Sequence, residues 1–241
     1  MKLYSRHPVL VLATLLLAAA SRPALSNGSR IDKLYHPYVQ PLEREFEFRF
    51  LDEENARLAP GDRSKARLGY GRAINGNWFA EAYLIGEKND DRDFHIQSAE
   101  AEGLWQLTEQ GEYAADAGLL FDVESKFDGD LTELSSALLL EKEWGRWSGT
   151  ANLFGIYEFG KDVNDEFEAA FNLQGRYRYN RRFEPAIEFY KAQNTFGIGP
   201  VFLGGHSFGN AQKLHWEAGM IFGLDNDTPD HTFRALIEYE F

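Results

Sequence analysis

The most constraining feature of this chain is a two-residue alternation of apolar and polar side chains, which continues to its final residue. It is clearest in the last stretch, 231–241. One face of that stretch carries Phe233, Ala235, Ile237, Tyr239 and Phe241, and the other carries Thr232, Arg234, Leu236, Glu238 and Glu240. A period of two places successive side chains on opposite faces of a β-strand. The alternation therefore predicts a strand that ends on an aromatic residue.

The same alternation recurs along most of the chain, in runs separated by turn residues, and no helical period of useful length appears. Short turns between successive runs place neighbouring runs side by side in opposite directions, which predicts consecutive antiparallel strands. The runs predicted as strands are 42–51, 66–74, 78–88, 94–107, 113–124, 131–144, 147–159, 166–179, 183–190, 196–208, 213–224 and 231–241.

The N-terminus has the pattern of a secretory signal peptide. Lys2 and Arg6 precede a short apolar run, and Ala24-Leu25-Ser26 offers small residues to a signal peptidase. The run is too short to span a membrane as a helix. We therefore predict a signal peptide over 1–26, a periplasmic N-terminal segment over 27–41, and a single β-domain over 42–241.

The overall charge limits the partners of the exported chain. The formal net charge is −13, and it becomes −16 once the basic residues Lys2, Arg6 and Arg22 are removed with the signal peptide. An acidic chain of this kind is unsuited to nucleic acid. It has no cysteine, so backbone pairing and packing must stabilise it without disulfides.

Alternation alone fits two kinds of barrel: a soluble, lipocalin-like barrel with an apolar interior, and a membrane barrel with an apolar exterior. Four observations favour the membrane form. Predicted links after odd-numbered strands are longer and acidic, whereas those after even-numbered strands are mostly tight turns, such as Asn75-Gly76 and Gln110-Gly111. Tryptophans cluster near the tight turns. A barrel of about twelve strands with alanine and glycine on its apolar face would enclose a large void if that face pointed inward. The terminal Phe241 lies at the end predicted to be periplasmic. We predict an all-β fold, a single antiparallel up-and-down transmembrane β-barrel of about twelve strands, or ten if two weak runs are misassigned.

This orientation predicts an acidic lumen. The candidate lumen and selectivity residues are Glu45, Glu47, Arg49, Glu81, Glu100, Glu102, Asp116, Asp122, Glu168, Arg176, Arg178, Glu188, Glu217, Arg234 and Glu238. A water-filled lumen lined in this way attracts cations. Two alternatives stay open: a narrow cation-preferring channel, and a closed lumen in which arginine and glutamate side chains pair across the barrel.

Aromatic residues near the tight turns predict a belt at one membrane interface. The predicted belt consists of Trp78, Trp105, Trp144, Trp147, Trp216, Tyr177 and Tyr179. The terminal Tyr239 and Phe241 resemble the assembly signal of Gram-negative outer-membrane barrels. That resemblance implies the barrel-assembly machinery as a partner, and outer-membrane lipid and lipopolysaccharide as surroundings.

The chain offers little evidence for other chemistry. His215 and Glu217 share a strand face, which is too few ligands for a metal site. His206 and Ser207 are adjacent and point to opposite sides of a strand, so they do not form a nucleophile–base pair. We therefore predict no cofactor, no metal site and no enzymatic activity.

The stretch 196–241 combines a Gly-Ile-Gly-Pro strand, a short turn, a Trp-Glu-Ala-Gly strand and the Tyr-Glu-Phe terminus. It resembles the C-terminal third of uncharacterised proteobacterial outer-membrane barrels that are grouped with porin-like transporters. The resemblance implies an exported outer-membrane protein that acts as a passive pore or transporter for small cationic or neutral solutes. A closed structural or adhesion barrel and an outer-membrane lipid-modifying enzyme are the alternatives.

Overall fold

A computed structural model of the protein describes residues 30–55, 61–128, 131–161, 163–209 and 212–241. The predicted signal peptide, 1–26, lies outside the described residues. Within those ranges no helix is long and apolar enough to cross a membrane.

Twelve antiparallel strands form one closed barrel, with each strand hydrogen-bonded to its sequence neighbours and β1 closing on β12. This confirms the predicted fold class and strand number. The strands are β1 (Arg44–Glu54), β2 (Arg63–Ala73), β3 (Trp78–Asn89), β4 (Arg92–Gln106), β5 (Asp116–Lys126), β6 (Thr132–Trp144), β7 (Trp147–Phe159), β8 (Glu166–Tyr177), β9 (Glu184–Ala192), β10 (Thr195–Gly209), β11 (Gln212–Gly223) and β12 (His231–Glu240).

The polar faces of the strands point inward and the apolar faces point outward. In β1, Glu45, Glu47 and Arg49 are buried, whereas Phe46 and Phe48 are 52% and 44% exposed. A soluble barrel would show the reverse, because burial of apolar surface drives folding in water. An outer wall of exposed leucine, isoleucine and phenylalanine suits contact with lipid.

The closing seam joins the first and last strands in one continuous register. Phe46 lies opposite Tyr239, and Glu47 lies opposite Glu238. The backbone N–H of Phe241 donates to the carbonyl of Arg44 over 2.8 Å, and the ring of Phe241 stacks on Phe46 at 5.7 Å between centroids. The terminal residue thus completes the outer face of the seam.

The barrel has two ends, which we name by the seam. The terminus end is where β1 begins and β12 ends, and the far end is where β1 ends and β12 begins. The predicted contrast in link length holds only partly. Residues 193–194 make a two-residue link at the far end, and 107–115 make the longest described link at the terminus end.

The predicted turn at Gln110-Gly111 is present, because the N–H of Glu112 donates to the carbonyl of Glu109 at 3.1 Å, but it lies within the longer loop and does not join β4 to β5 directly. Side chains bind the backbone around it and hold a wider loop. Asp116 accepts a hydrogen bond from the N–H of Gly111 at 2.7 Å, and the Thr108 hydroxyl accepts one from Ala117 at 2.9 Å. These bonds replace strand pairing, so β5 begins at Asp116 rather than at 113.

Residues 30–41, the described part of the predicted periplasmic segment, lie inside the barrel. Residue 41 is next to the start of β1 at the terminus end, and Arg30 contacts Thr195, the first residue of β10, at the far end. Twelve extended residues reach about 40 Å at most, which is enough to traverse a barrel of this height. Ile31 and Leu34 pack with Tyr190, Val201, Leu203 and Ile221 in the main apolar cluster of the interior.

Candidate functional site: the barrel interior

The structure places the side chains of all the predicted lumen residues on the inner side of the wall. Fourteen of them alternate with lipid-side residues along the strands, and Arg178 lies just beyond β8, where it pairs with Glu143. Their part in selectivity stays a prediction. The spatial order of these side chains, which the sequence alone did not reveal, follows from the strand register.

Acidic residues are laterally adjacent from strand to strand. A first row starts at the terminus end with Glu240 opposite Glu45, crosses Gly71, and continues through three further acids. Those acids are Glu81 on β3, Glu102 on β4 and Asp122 on β5, each opposite the next. This row moves away from the terminus end, because Glu240 is the last residue of β12 and Asp122 lies beyond the middle of β5.

A second, parallel row continues to the far end. It starts with Glu238 opposite Glu47, crosses Gly69 and Tyr83, and reaches Glu100 on β4. Glu124, Glu133 and Glu158 follow, each opposite the next. Glu133 is the second residue of β6, which starts at the far end. We call the two rows together the carboxylate track, comprising Glu240, Glu45, Glu81, Glu102, Asp122, Glu238, Glu47, Glu100, Glu124, Glu133 and Glu158.

Two glycines interrupt the track at β2, and the structure shows why they are glycines. A Cβ on Gly69 would lie 2.3 Å from the ring of Tyr83, and one on Gly71 would lie 2.4 Å from the ring of Phe79. The aromatic side chains of β3 fold over β2 at these two positions, which only a residue without a side chain permits.

Like charges directly opposite each other on neighbouring strands destabilise a sheet. The track contains several such pairs, and cations within the barrel offset them. Arg49 contacts Glu47 at 2.5 Å and Glu102 at 3.5 Å, and Arg67 pairs with Glu100. The wall supplies these two arginines, and the N-terminal segment supplies two further cations.

Those two cations of the segment are Lys33 and Arg30. The Lys33 ammonium lies 2.5 Å from Glu47. The Arg30 guanidinium contacts three carboxylates at once: Glu133 at 2.8 Å, Glu158 at 2.6 Å and Glu168 at 2.9 Å. The segment therefore holds its positive side chains against the track, Arg30 near the far end and Lys33 part of the way along the lumen.

Polar contacts also hold the backbone of the segment. Tyr35 exchanges two hydrogen bonds with the Asn152 amide, at 2.8 and 2.9 Å, and the N–H of Val39 donates to Gln106 at 2.7 Å. Tyr38 donates its hydroxyl to Asp116 at 2.8 Å, and His36 lies 2.5 Å from Glu141. Asn152 and Gln106 thus hydrogen-bond to the extended backbone of the segment much as a neighbouring strand would.

A second ion network joins β9, β11 and β12. Arg234 binds both oxygens of Glu188, at 2.9 and 2.8 Å, and one oxygen of Glu217 at 2.5 Å. Tyr190 donates to Glu188 at 2.7 Å, and His215 lies 3.0 Å from Glu217. A buried charge network of this type needs every partner, because a remaining unpaired charge is costly.

Among the described residues, two of the cavities adjoin the segment. The one towards the far end has a volume of about 130 Å³ and adjoins Arg30, Glu133 and Asn172. The one towards the terminus end has a volume of about 380 Å³, and eight of its 22 lining residues are acids, including Glu45, Glu81 and Glu238. At its mouth, burial and the nearby Glu240 and Glu238 raise the pKa of Glu43 to about 8. Lys33 and Tyr35 border both cavities and separate them.

The sequence analysis did not identify several inward residues that make these contacts. They are Arg30, Asp32, Lys33, Tyr83, Glu133, Asn152 and Tyr190. The wall residues of this set alternate with outward-facing residues as the predicted acids do, so the alternation would have identified them if it had been followed along every strand. Arg30, Asp32 and Lys33 precede the predicted barrel, and no local signal there indicates insertion.

The predicted aromatic belt lies at the terminus end. Trp78 stacks on Trp105 at 5.3 Å, and Trp147 contacts Tyr177 at 4.9 Å between ring centroids. Trp144 pairs laterally with Trp147, Trp216 lies four residues into β11, and Tyr179 follows β8 and is exposed. The membrane role of these rings and the assembly role of Tyr239 and Phe241 stay predictions.

No protein-family model matches the sequence, and no curated protein matches it. Solved structures do share its fold. The KdgM porin in complex with disordered oligogalacturonate has a TM-score of 0.53 at 10% identity, covering 83% of this chain and 99% of that chain. The COG4313 outer membrane channel from Pseudomonas putida F1 has a TM-score of 0.53 at 12% identity, covering 87% and 98%. The translocator domain of autotransporter NalP from Neisseria meningitidis has a TM-score of 0.50 at 11% identity, covering 84% and 89%.

These likenesses show the fold: the chain is an outer-membrane β-barrel, of the architecture that porins and channels use. Together with the apolar outer wall, this fold places the protein in the outer membrane, as the sequence predicted.

Proposed function

We propose that this outer-membrane barrel is a passive channel for small cationic or neutral solutes, and that residues 30–41 close it in the state described here. The observation that carries the proposal is the carboxylate track, which follows the inner wall from the terminus end to the far end. The terminus end is taken as periplasmic, in keeping with the predicted position of Phe241.

The energetics of the track support a role beyond stability. Directly opposed carboxylates such as Glu81 and Glu102 lower the stability of the barrel. A barrel with a purely structural role would gain nothing from such pairs. In a hydrated lumen, a continuous line of negative charge lowers the energy of a cation along its whole path and repels anions. This is the pattern expected of a cation-preferring channel.

The way the segment is held supports its release. Ile31, Leu34, Tyr35 and Val39 pack apolar groups against the wall, and the other contacts of the segment are hydrogen bonds and ion pairs, which water and solute ions can replace. Such a hydrogen bond contributes only about 0.5–1.5 kcal/mol net in water. Displacement of the segment would join the two cavities into one passage lined by the track.

The likeness to the KdgM porin supports passage of solutes through a barrel of this type, but not passage of the oligogalacturonate found in complex with that porin. Oligogalacturonate is an acidic sugar, and the acidic track of this chain would repel it. A small cation or a neutral molecule fits the interior better.

Solute uptake by proteoliposomes tests the proposal. We compare the mature chain from Asn27 with a chain that starts at Pro41, using a labelled diamine, a neutral sugar and a sugar acid of similar size. The shorter chain should admit the diamine fastest, the sugar more slowly and the acid least, and the longer chain should admit all three more slowly. Equal exclusion of every solute by the shorter chain, or preference for the acid, would overturn the proposal.

One alternative function has a specific observation in its favour. The segment fills much of the lumen, as it would in a closed structural or adhesion barrel. In that case, removal of the segment would leave the barrel impermeable, so the same uptake comparison separates the two functions.

A further inference from the structure

The far end of the lumen contains a geometric site for a guanidinium group. Glu133, Glu158 and Glu168 come from three adjacent strands, β6, β7 and β8, and surround the Arg30 side chain. Each carboxylate contacts a different guanidinium nitrogen: Nη1, Nη2 and Nε. A planar guanidinium with several donors matches such a set better than a point charge does.

The occupant of this cage does not belong to the wall. Arg30 is part of the N-terminal segment, which reaches the cage through the lumen from the opposite end of the barrel. Without Arg30, three carboxylates would face one another with no other arginine or lysine within ion-pair distance among the described residues. The cage therefore requires a cation, and the chain supplies one on a displaceable segment.

A second observation next to the cage also indicates a ligand. The cavity of about 130 Å³ adjoins Arg30 and Glu133 and is also lined by Asn172. The Asn172 side chain is only 5% exposed, and its Oδ1 accepts no hydrogen bond from any residue in the described ranges. A buried acceptor without a donor is uncommon and costly, and the N–H groups of a bound solute would satisfy it.

We propose that this cage is the recognition site for solutes that carry a guanidinium group, and that Arg30 occupies it as an internal substitute for such a solute. The inference rests on the proposed function and deepens it by naming the solute class. A solute arriving at the far end competes with Arg30 for the three carboxylates, and its binding releases the outer part of the segment. Binding at the cage and opening of the lumen are then linked, because both require Arg30 to leave.

Calorimetric titration of the refolded mature chain with L-arginine tests the inference, with L-citrulline as the probe that lacks only the positive charge. Arg30→Gln removes the internal competitor and keeps the barrel wall intact. This variant should bind arginine at least about tenfold more tightly than the wild-type chain does, a difference of about 1.4 kcal/mol. Neither chain should bind citrulline measurably.

Two further variants separate the cage from its surroundings. In the Arg30→Gln background, Glu158→Gln should weaken arginine binding about tenfold or more. Glu166→Gln, which alters the lateral neighbour of Glu158 that contacts Gln193 rather than Arg30, should leave it within about twofold. Resistance of each refolded barrel to detergent unfolding establishes that the wall has formed.

Failure of the cage and failure of the channel give different results. Equal affinity of wild type and Arg30→Gln for arginine, equal binding of citrulline, or equal loss in both glutamate variants would overturn the cage. None of these outcomes affects ion selectivity, which depends on the whole track. Conversely, arginine binding with no solute uptake would retain the cage and overturn the channel.

Discussion

At the scale of single residues, the interior is stabilised by a few arginines that each neutralise more than one acid. Arg234 is the clearest example, because its side chain is 3% exposed and it satisfies both Glu188 and Glu217. Sequence parity predicted that these three residues face inward. It did not predict that they would meet, because they lie on β9, β11 and β12, and only barrel closure and strand tilt bring them together.

Removal of Arg234 should therefore be costly. Arg234→Met retains much of the volume but leaves two buried carboxylates without their cation, which should lower the free energy of unfolding by about 3–5 kcal/mol. Urea unfolding of the protein in lipid vesicles measures the change. Arg92→Met, at an exposed position beside the β3–β4 turn, is the matched control and should cost less than about 0.5 kcal/mol. Comparable losses in both variants would argue against the network.

At the scale of the strands, the sequence was most informative where the alternation was strict. β7 begins and ends at the predicted residues, because every second side chain must face lipid and the turns at both ends are polar. It was least informative between β4 and β5, where Thr108 and Asp116 bind the backbone and prevent pairing. Side-chain caps of this kind depend on three-dimensional contact and give no periodic signal.

The orientation of the strands can be tested with two neighbouring alanines of β8. Ala169 is exposed on the outer face, and Ala170 is 6% exposed and lines the cavity towards the far end. A small fluorophore attached to Ala169→Cys should be quenched strongly by brominated lipid, and one attached to Ala170→Cys should be quenched weakly. The matched residue type and adjacent position control for depth and chemistry. The opposite ranking would mean that the barrel presents its polar face to lipid.

At the scale of the whole molecule, the main feature is a barrel that contains its own N-terminal segment. The sequence identified 27–41 as a separate segment and predicted it to be periplasmic, but it gave no signal that the segment enters the barrel. Its contacts join residues far apart in the chain, such as Tyr35 with Asn152 and Arg30 with Thr195. An extended segment without alternation or helical period can lie in many places, and only the arrangement of its partners on the wall selects one.

The carboxylate track is also a feature of the whole molecule. The acids on the wall are spaced along separate strands and look independent in the sequence. Register aligns them into the carboxylate track, and the segment then places Lys33 and Arg30 upon it. In the proposed closed state, these two cations neutralise part of the charge that would select cations once the segment is displaced.

The most direct test of this account is the reversal potential of the open barrel in a planar bilayer. The chain that starts at Pro41 is placed in a bilayer between a dilute and a concentrated potassium chloride solution. It should carry a steady current, and its reversal potential should have the sign expected when potassium is more permeant than chloride. The mature chain from Asn27 should show only rare openings of the same sign. A reversal potential with the sign of chloride flow, or no current from the shorter chain at any salt concentration, would contradict the account.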